Sequence, residues 1–341
     1  MTRTGGRVTL KQVAERAGVS LATASRAING SGTRQVNADL ADRVLTAAAE
    51  LDYVANSSAQ AMARGRTNVL GLIIGDVVDP YFASLAAGVI AEAAASSCLV
   101  NLAVTERVSE REREFVRLFG AQQARGVVLA GSRHTDSESA RELAQQVAAV
   151  EQAGARVVSL GQSTLGGDAV VIANEQGASD LATELLALGH RRFAVLAGPE
   201  HLLTPIDRTR GFVETVMAAG CPRPEIVHGG FSRDGGLEAM NELLDRGTEA
   251  TCVFGVADAV AIGALTACRA RGVRVPDDLS LAGFDDIPTL RDLDPQLTTV
   301  RLPMVEAGRA AAALALRPMD GKPRTIEVHG EVVVRESTRR L

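Results

Sequence analysis

The chain of 341 residues contains no tryptophan, only two lysines and four cysteines, and aromatic residues make up 3% of it. The cysteines are scattered without a CxxC pair, which argues against a disulfide framework or a zinc site and predicts reduced core thiols. No uncharged apolar run approaches the roughly 18 residues of a membrane span. The polar first residues also lack the apolar core of a signal peptide. We therefore expect a cytoplasmic protein with no membrane partner.

Motifs that mark catalytic and cofactor sites are missing as well. No GxGxxG follows an apolar strand, Gly321-Lys322-Pro323 is not a phosphate loop, and no GxSxG elbow occurs. The five histidines do not show the HExxH or HxxxH spacing of zinc sites. The alternating charges of Glu106–Arg117 are typical of a solvated helix face. We therefore expect no enzyme activity, no metal and no cofactor.

The length is sufficient for about two domains, and the formal net charge of -5 is unevenly divided between them. Residues 1–66 carry nine basic and five acidic side chains, whereas the remaining residues sum to -9. A small basic segment on an acidic body suits a DNA-contacting module on a carrier that DNA repels.

The basic segment has the pattern of a helix-turn-helix. Thr9-Leu-Lys-Gln12 is a capping box that opens a first helix, and Gly18 can end that helix in the left-handed conformation. Ser20 caps a second helix, predicted from Leu21 to about Asn29, and a third begins after Asn37.

The outward face of the second helix is suited to the major groove of DNA. Arg26 is long enough to bind guanine O6 and N7 with a bidentate fork. Leu21 and Ala22 can contact a thymine methyl group or allow a close approach. Candidates for phosphate contacts, which position the helix without reading sequence, are Thr9, Thr23, Ser25 and Asn29.

VTLKQVAERAGVSLATASRAING, followed by VNADLADRVLTAAAELDYVANSSAQAMARGRTNVLGLII, resembles the DNA-binding head of the lactose/galactose repressor (LacI/GalR) family. The resemblance implies a DNA-binding domain over residues 1–55 and a hinge helix and linker over 56–67. In this family the hinge helices form when the two subunits of a homodimer meet on a near-palindromic DNA operator. The hinge residues expected to contact DNA are Asn56, Ala59 and Met62. Met62 replaces the family's minor-groove leucine, but methionine is also apolar and long enough to wedge between bases.

The remainder alternates apolar runs with amphipathic segments, which predicts repeated βαβ units and parallel sheets covered by helices. Strands are predicted at Val69–Ile74, Leu99–Val104, Val127–Ala130, Val157–Leu160, Val170–Ile172, Phe193–Leu196, Ile226–His228, Cys252–Val256 and Leu281–Phe284. Helices are predicted at Phe82–Ala95, Glu110–Gln123, Ser139–Gly154, Gly177–Leu188, Arg210–Ala219, Gly235–Arg246 and Val260–Arg271. The pattern restarts after Gly166-Gly167, so we expect two α/β lobes whose carboxyl strand ends face one ligand cleft.

The family resemblance extends over residues 68 to 337, through pieces such as Asp79-Pro-Tyr-Phe82 and Gly283-Phe-Asp-Asp286. It implies an all-α head and hinge helix joined to a two-lobed α/β core of the periplasmic-binding-protein type. This core, residues 68–341, would bind the effector and form the dimer. The family chain crosses between the lobes three times, here with later crossings expected near Val300 and Arg324. The first lobe would hold about 68–167 and 301–324, and the second about 168–300 and 325–341.

The resemblance also places four side chains in the cleft. Arg208 and Asp285 fall where the family binds ligand oxygens and hydroxyls, and Phe82 and Phe231 fall where aromatic rings cover the ligand. Ala257 stands where sugar-binding members often carry an asparagine, which weakens the case for a simple hexose. Weaker candidates, chosen because they follow predicted strands, are Asn174 and Asp76.

The combined expectation is a DNA-binding transcriptional regulator, in the family usually a repressor, switched by a small effector such as a sugar or related metabolite. Two alternatives use the same scaffold. A periplasmic solute-binding protein would lack the basic head and carry a signal peptide. A sugar or nucleoside hydrolase would need a charged or metal constellation. Salt-dependent binding to DNA separates the regulator from both.

Overall fold

The computed structural model describes residues 8–29, 36–54, 66–319 and 321–341, except for the side chain of Asn29. The chain divides into two compact units, Met1–Asn68 and Val69–Leu341, called here the head and the body. The predicted hinge residues Asn56, Ala59 and Met62 lie outside the described residues. No helix in the described ranges combines the length and the apolar character that crossing a bilayer requires.

The head contains the three predicted helices, α1 (Leu10–Ala17), α2 (Leu21–Asn29) and α3 (Ala38–Glu50). Apolar residues at helical spacing meet in one small core, because each helix turns its apolar stripe inward. The buried members of this core are Val13, Ala14, Ala17, Ala24, Val44 and Ala47.

The predicted caps are present. The backbone N–H of Thr9 donates to Gln12 Oε1 at 2.8 Å, and Gln12 N–H donates to Thr9 Oγ1 at 3.4 Å. Gly18 has φ 64°, which a residue with a Cβ adopts only with strain. Ser20 Oγ accepts from the N–H of Thr23 at 3.1 Å and so caps α2.

The body contains twelve strands and eight α-helices within its described residues. In chain order they are β1 Val69–Ile74, α4 Pro80–Ala95, β2 Leu99–Val104, α5 Ser109–Ala121, β3 Gly126–Ala130, α6 Ser137–Gln152, β4 Arg156–Gly161, β5 Asp168–Ile172, α7 Asn174–Ala187, β6 Phe193–Ala197, α8 Leu203–Ala218, β7 Glu225–His228, α9 Arg233–Asp245, β8 Cys252–Gly255, α10 Asp258–Ala270, β9 Ser280–Ala282, β10 Thr299–Arg301, α11 Met304–Leu316, β11 Thr325–Val328 and β12 Glu331–Val333. A 3₁₀ helix spans Pro288–Asp292.

These elements form two lobes, each built on a parallel sheet. The first sheet has the order β11-β5-β4-β3-β1-β2, and the second has the order β7-β6-β8-β9. The antiparallel pair β10 and β12 is joined to the end of the second sheet by bridges from Ala282 to Thr298 and from Asp285 to Arg301. The predicted two-lobed α/β body with parallel sheets is thus confirmed.

The predicted division between the lobes was wrong at two strands. β5 pairs with β4 in the first sheet, with Leu160 opposite Val170, and β11 pairs with β5. The glycines at 166 and 167 lie in a short turn between neighbouring strands, with Gly166 at φ 76°, and do not mark a lobe boundary. The first crossing therefore follows β5, at Ala173.

The chain crosses between the lobes at two later points. Near Val300, β10 leads directly into α11, which packs on α4 of the first lobe. The one expected near Arg324 falls instead between β11 and β12, at residues 329–330. Helix α11 was not predicted, and α8 begins at Leu203 rather than Arg210, because Pro205 in its first turn is compatible with a helix start.

Candidate functional site

The loops at the carboxyl ends of the two sheets meet around one cleft, in which the space between atoms, including the part open to solvent, is about 690 Å³. Lining residues follow β1, β2 and β3 in the first sheet and all four strands of the second, as expected for parallel α/β sheets. The first lobe contributes Gly75, Asp79, Tyr81, Phe82, Thr105, Arg107, Val108, Glu112 and Ala130–His134, and the second contributes Leu202, Thr204, Arg208, Phe231, Ala257, Ala259 and Asp285.

Arg208 on α8 is a buried cation at the floor of the cleft, with 1% of its surface exposed. Its Nη2 donates to Asp285 Oδ1 and its Nε to Asn174 Oδ1, both at 2.8 Å. A third bond, from Nη1, reaches the carbonyl of Val256 at 2.8 Å. The guanidinium also lies 3.9 Å from the ring centroid of Phe284, a favourable cation–π distance. Arg208 is therefore held in one position.

Asp285 occupies a strained backbone position directly beyond β9. Its φ of 121° lies in a region that L-residues rarely adopt, and such strain is concentrated at functional sites. Burial raises the pKa of Asp285, and the Arg208 guanidinium that donates to its carboxylate opposes that rise. The carboxylate thus depends on Arg208 for its charge.

Aromatic rings and a second cation form the upper wall. Tyr81 packs edge-on against Phe82, with ring centroids 5.1 Å apart. Arg107 of the first lobe lies 5.8 Å from the ring centroid of Phe231 in the second. Its guanidinium also lies 3.4 Å from the carboxylates of Asp76 and Asp79. The cleft therefore offers apolar ring faces beside charged hydrogen-bonding groups.

A third charge pair joins Arg133 and Glu112, with Nη1 and Oε1 2.6 Å apart and both side chains largely buried. The prediction that Glu106–Arg117 forms a solvated face was therefore wrong at Glu112, which turns inward because a buried guanidinium faces it. Burial lowers the pKa of the neighbouring His134, so its ring is neutral near pH 7.

The structure brings four of the six predicted effector residues to the cleft wall, namely Phe82, Arg208, Phe231 and Asp285. Asn174 is buried behind Arg208, and Asp76 pairs with Arg107 outside the lining.

Sequence reasoning missed several lining residues, among them Asp79, Tyr81, Arg107, Arg133 and His134. Asp79 and Tyr81 belong to the quoted Asp79-Pro-Tyr-Phe82 piece, and Arg133 and His134 follow a predicted strand. Their places in a quoted motif and after a predicted strand were the features of the sequence that could have identified them as lining residues.

The head presents a partly exposed α2 face. Leu21 has 52% of its surface exposed, and Ala22 is also exposed, whereas Ala24 is fully buried in the core. Arg26 Nε donates to the carbonyl of Ala22 at 3.0 Å, so its side chain lies along the helix. The hydroxyl of Thr9 takes part in the α1 cap, and Asn29 ends α2.

The four cysteines are free and buried, as predicted. Among the residues described, no group of three or more histidine, cysteine or acidic side chains could hold a metal ion.

The family model for bacterial regulatory proteins of the lacI family matches residues 9–56, and that for the periplasmic binding protein-like domain matches 182–338. The transcriptional repressor CytR of Escherichia coli K12 is 33% identical over 343 residues, covering 98% of this chain and 97% of its own. The regulator CelR of Thermobifida fusca is 32% identical over 341 residues, covering 97% and 98%.

Two solved structures have the same fold. A lac repressor dimer bound to operator and the anti-inducer ONPF matches with TM-score 0.83 and 25% identity, covering 98% of this chain and 100% of that one. A CelR–cellobiose complex matches with TM-score 0.70 and 30% identity, covering 97% and 100%. From its helix-turn-helix head to its two-lobed body, the chain belongs to the LacI family of bacterial transcriptional regulators.

Proposed function

We propose that the chain is a homodimeric, cytoplasmic repressor that binds a near-palindromic operator. A small effector bound in the cleft switches its affinity for that operator. The single observation that carries this proposal is the interlobe cleft, in which buried charged groups and aromatic rings from both lobes line one space. Residues 1–55 are assigned to DNA binding, 56–67 to the hinge and linker, and 68–341 to effector binding and dimerisation, with the lobe boundaries corrected as above.

The effector is a neutral ring compound with several hydroxyl groups, of the sugar or related metabolite class. Each lining guanidinium has a carboxylate partner: Arg107 with Asp79, Arg133 with Glu112, and Arg208 with Asp285. A charged ligand would disturb this balance in a poorly solvated space. A hydroxyl can accept from a guanidinium and donate to a carboxylate without doing so. The cellobiose bound by the related CelR fits this class.

Binding of DNA is assigned to the α2 face and the hinge. Arg26 must leave Ala22 to reach a guanine edge, and Leu21 and Ala22 are exposed for close contact with the groove. Thr9, Thr23, Ser25 and Asn29 are assigned to phosphate contacts. Asn56, Ala59 and Met62, outside the described residues, are assigned to the minor groove between half-sites.

The dimer is assigned in part to β2 and α4 of the first lobe. β2 is an edge strand, and it exposes 74% of Leu99 and 46% of Leu102. The adjacent helix α4 exposes 53% of Ile90. An apolar sheet edge left open to water invites association, and a second copy of the chain is the partner that a two-fold operator requires.

We infer that the cleft binds and does not catalyse. The relatives that match over nearly the whole chain are named as transcription regulators. Each buried cleft carboxylate is committed to an arginine, which favours fixed recognition over proton transfer.

Selection of duplexes from random DNA, followed by a salt titration of the best sequence, tests the DNA assignment. We expect a near-palindromic site and a steep linear fall of log affinity with log salt concentration. A thermal-shift screen of sugars, nucleosides and related metabolites then finds the effector, because a ligand that binds the folded state raises its stability.

The effector so found must change operator affinity. Leu99→Asp, at the exposed edge strand, should weaken the dimer and with it operator binding, whereas Arg141→Ala, at an exposed position of α6, is the matched surface control. Absence of any preferred duplex at low salt would contradict the proposal.

A further inference from the structure

The two lobes are joined across the cleft by a contact between two short segments, residues 132–135 of the first lobe and 201–204 of the second, called here the latch. His134 and Leu202 form an isolated antiparallel bridge. Its backbone hydrogen bonds run from Thr135 N–H to His201 O (3.0 Å) and from Leu203 N–H to Arg133 O (2.9 Å).

Side chains reinforce the same contact. Thr204 N–H donates to Ser132 Oγ at 2.9 Å. Gln162, which follows β4 in the first lobe, accepts from Arg133 N–H at 3.1 Å and donates to Thr204 Oγ1 at 2.9 Å. Gln162 is 9% exposed, so its amide would lose its buried hydrogen bond to Thr204 if the lobes separated here, while its bond to Arg133 lies within the first lobe. The rings of His134 and His201 also stack, with centroids 5.5 Å apart.

The position of the latch gives it a role in access to the cleft. Ser132, Arg133, His134, Leu202 and Thr204 all line the cleft. The covalent crossings between the lobes lie elsewhere, at Ala173, at residues 302–303 and at 329–330. Opening of the lobes on this side must therefore break the latch, while the crossings can act as hinges. Because water replaces hydrogen bonds broken on opening, the latch can open reversibly.

We propose that the latch holds the lobes closed over the cleft, so that an effector enters only after these cross-lobe hydrogen bonds have opened. This inference concerns lobe closure and stands apart from the proposed function. It requires neither an identified effector nor an operator.

A proline substitution removes one latch hydrogen bond with little other change. Leu203 is the first residue of α8, where proline is well tolerated, and Leu202 before it has the extended conformation that proline favours. Leu203→Pro deletes the N–H that donates to Arg133 O. Leu203→Ala, the matched control, shortens the side chain and keeps that N–H.

The lobe separation is measured by pulsed electron paramagnetic resonance between nitroxide labels on Glu138→Cys and Asp234→Cys in the full chain. Both side chains are exposed and lie in opposite lobes, and the four native cysteines are buried. Labelled protein is diluted into excess unlabelled protein, so that each dimer carries labels in one protomer. In Leu203→Pro we expect a second, longer distance, with the ratio of open to closed molecules raised about fivefold, as loss of one ordinary hydrogen bond predicts. Leu203→Ala should match the parent.

A distance distribution in folded Leu203→Pro that equals the parent's would overturn the latch. If circular dichroism shows that Leu203→Pro does not fold, Gln162→Ala replaces it, because it removes the cross-lobe hydrogen bond from the amide to Thr204. Backbone hydrogen exchange at Thr135 and Leu203 should then rise together in Gln162→Ala. Unchanged exchange at both amides would equally refute the proposal.

Discussion

The guanidinium of Arg208 and the carboxylate of Asp285 form a buried ion pair, with Nη2 and Oδ1 2.8 Å apart, although both were expected to bind ligand. The pair lies at the cleft floor. An effector hydroxyl that reaches this floor must form its hydrogen bonds to a guanidinium and a carboxylate that are already paired with each other. Any change to one member therefore alters both stability and recognition.

The first prediction is a strong coupling between these two residues. Arg208→Met should lower the free energy of unfolding by about 3–5 kcal/mol, because it leaves a buried carboxylate without its partner. In an Asp285→Asn background the same substitution should cost much less. Urea denaturation of the four proteins measures the coupling.

The chain offers a matched control on the same helix. Arg210 pairs with Glu175 and is nearly half exposed, so Arg210→Met should change stability by less than about 1 kcal/mol. If Arg208→Met lowers the free energy of unfolding equally in the parent and in the Asp285→Asn background, the ion pair does not couple the two residues.

The second prediction concerns Asp258, which is fully buried at the start of α10. Its carboxylate accepts from the N–H of Ile287 at 2.9 Å and from the hydroxyl of Thr299 at 2.6 Å. Burial nevertheless raises the pKa of Asp258 from 3.8 to about 6. The folded protein thus keeps a proton that the unfolded chain loses, and the stabilisation this provides should disappear as the pH rises from about 4 past 6.

The difference between the pKa of Asp258 in the unfolded chain and in the folded protein corresponds to a loss of about 3 kcal/mol in the free energy of unfolding. Asp258→Asn should remove it, since an amide does not ionise and the Thr299 hydroxyl can turn to accept from it. The free energy of unfolding measured from pH 4 to 7.5 tests this. Asp234→Asn, at an exposed carboxylate, should leave the parent's pH slope unchanged. If Asp258→Asn shows the same pH slope as the parent, titration of Asp258 is not the cause of that slope.

The third prediction is that the cleft prefers neutral ligands. Isothermal titration should give at least about tenfold weaker binding for a phosphorylated or carboxylated form of the effector than for the neutral compound, since one uncompensated charge costs more than about 1.4 kcal/mol there. Glu112→Gln leaves Arg133 without its counter-charge and should reduce this discrimination. Tighter binding of the anionic form to the parent would refute the charge-balance argument.

The fourth prediction concerns base reading by the head. Arg26→Ala should cost about 1–3 kcal/mol at one position of each half-site and relax the preference there. Affinities for all single-base variants of the selected operator measure this. Lys11→Ala, at an exposed residue of α1, should leave the base preference as it is. If Arg26→Ala lowers the affinity equally for all single-base variants of the operator, Arg26 contacts phosphate and not a base.

Local patterns identified the elements of this chain well. The capping box at Thr9, the left-handed Gly18 and the serine cap at Ser20 bracket the helices of the head, because these signals act within a single turn. The missed helix α11 is rich in alanine and gives little amphipathic contrast.

Local pattern could not assign strands to lobes. The run that contains β5 has the same apolar character in either sheet, and only its pairing with β4 and β11 decides. For the same reason Glu112 looks solvated in sequence, and the buried Arg133 that turns it inward lies on another element.

The sequence by itself determined the helix-turn-helix head and the repeated βαβ body, since short-range spacing and motif order encode them, and its family resemblance implied the two cleft residues Arg208 and Asp285. Tertiary structure decided that these two charges pair with each other, that Arg107 and Arg133 join them in the cleft, and that the latch ties the lobes together. Contacts of that kind form between residues far apart in the chain, and no local signal records which side chain meets which.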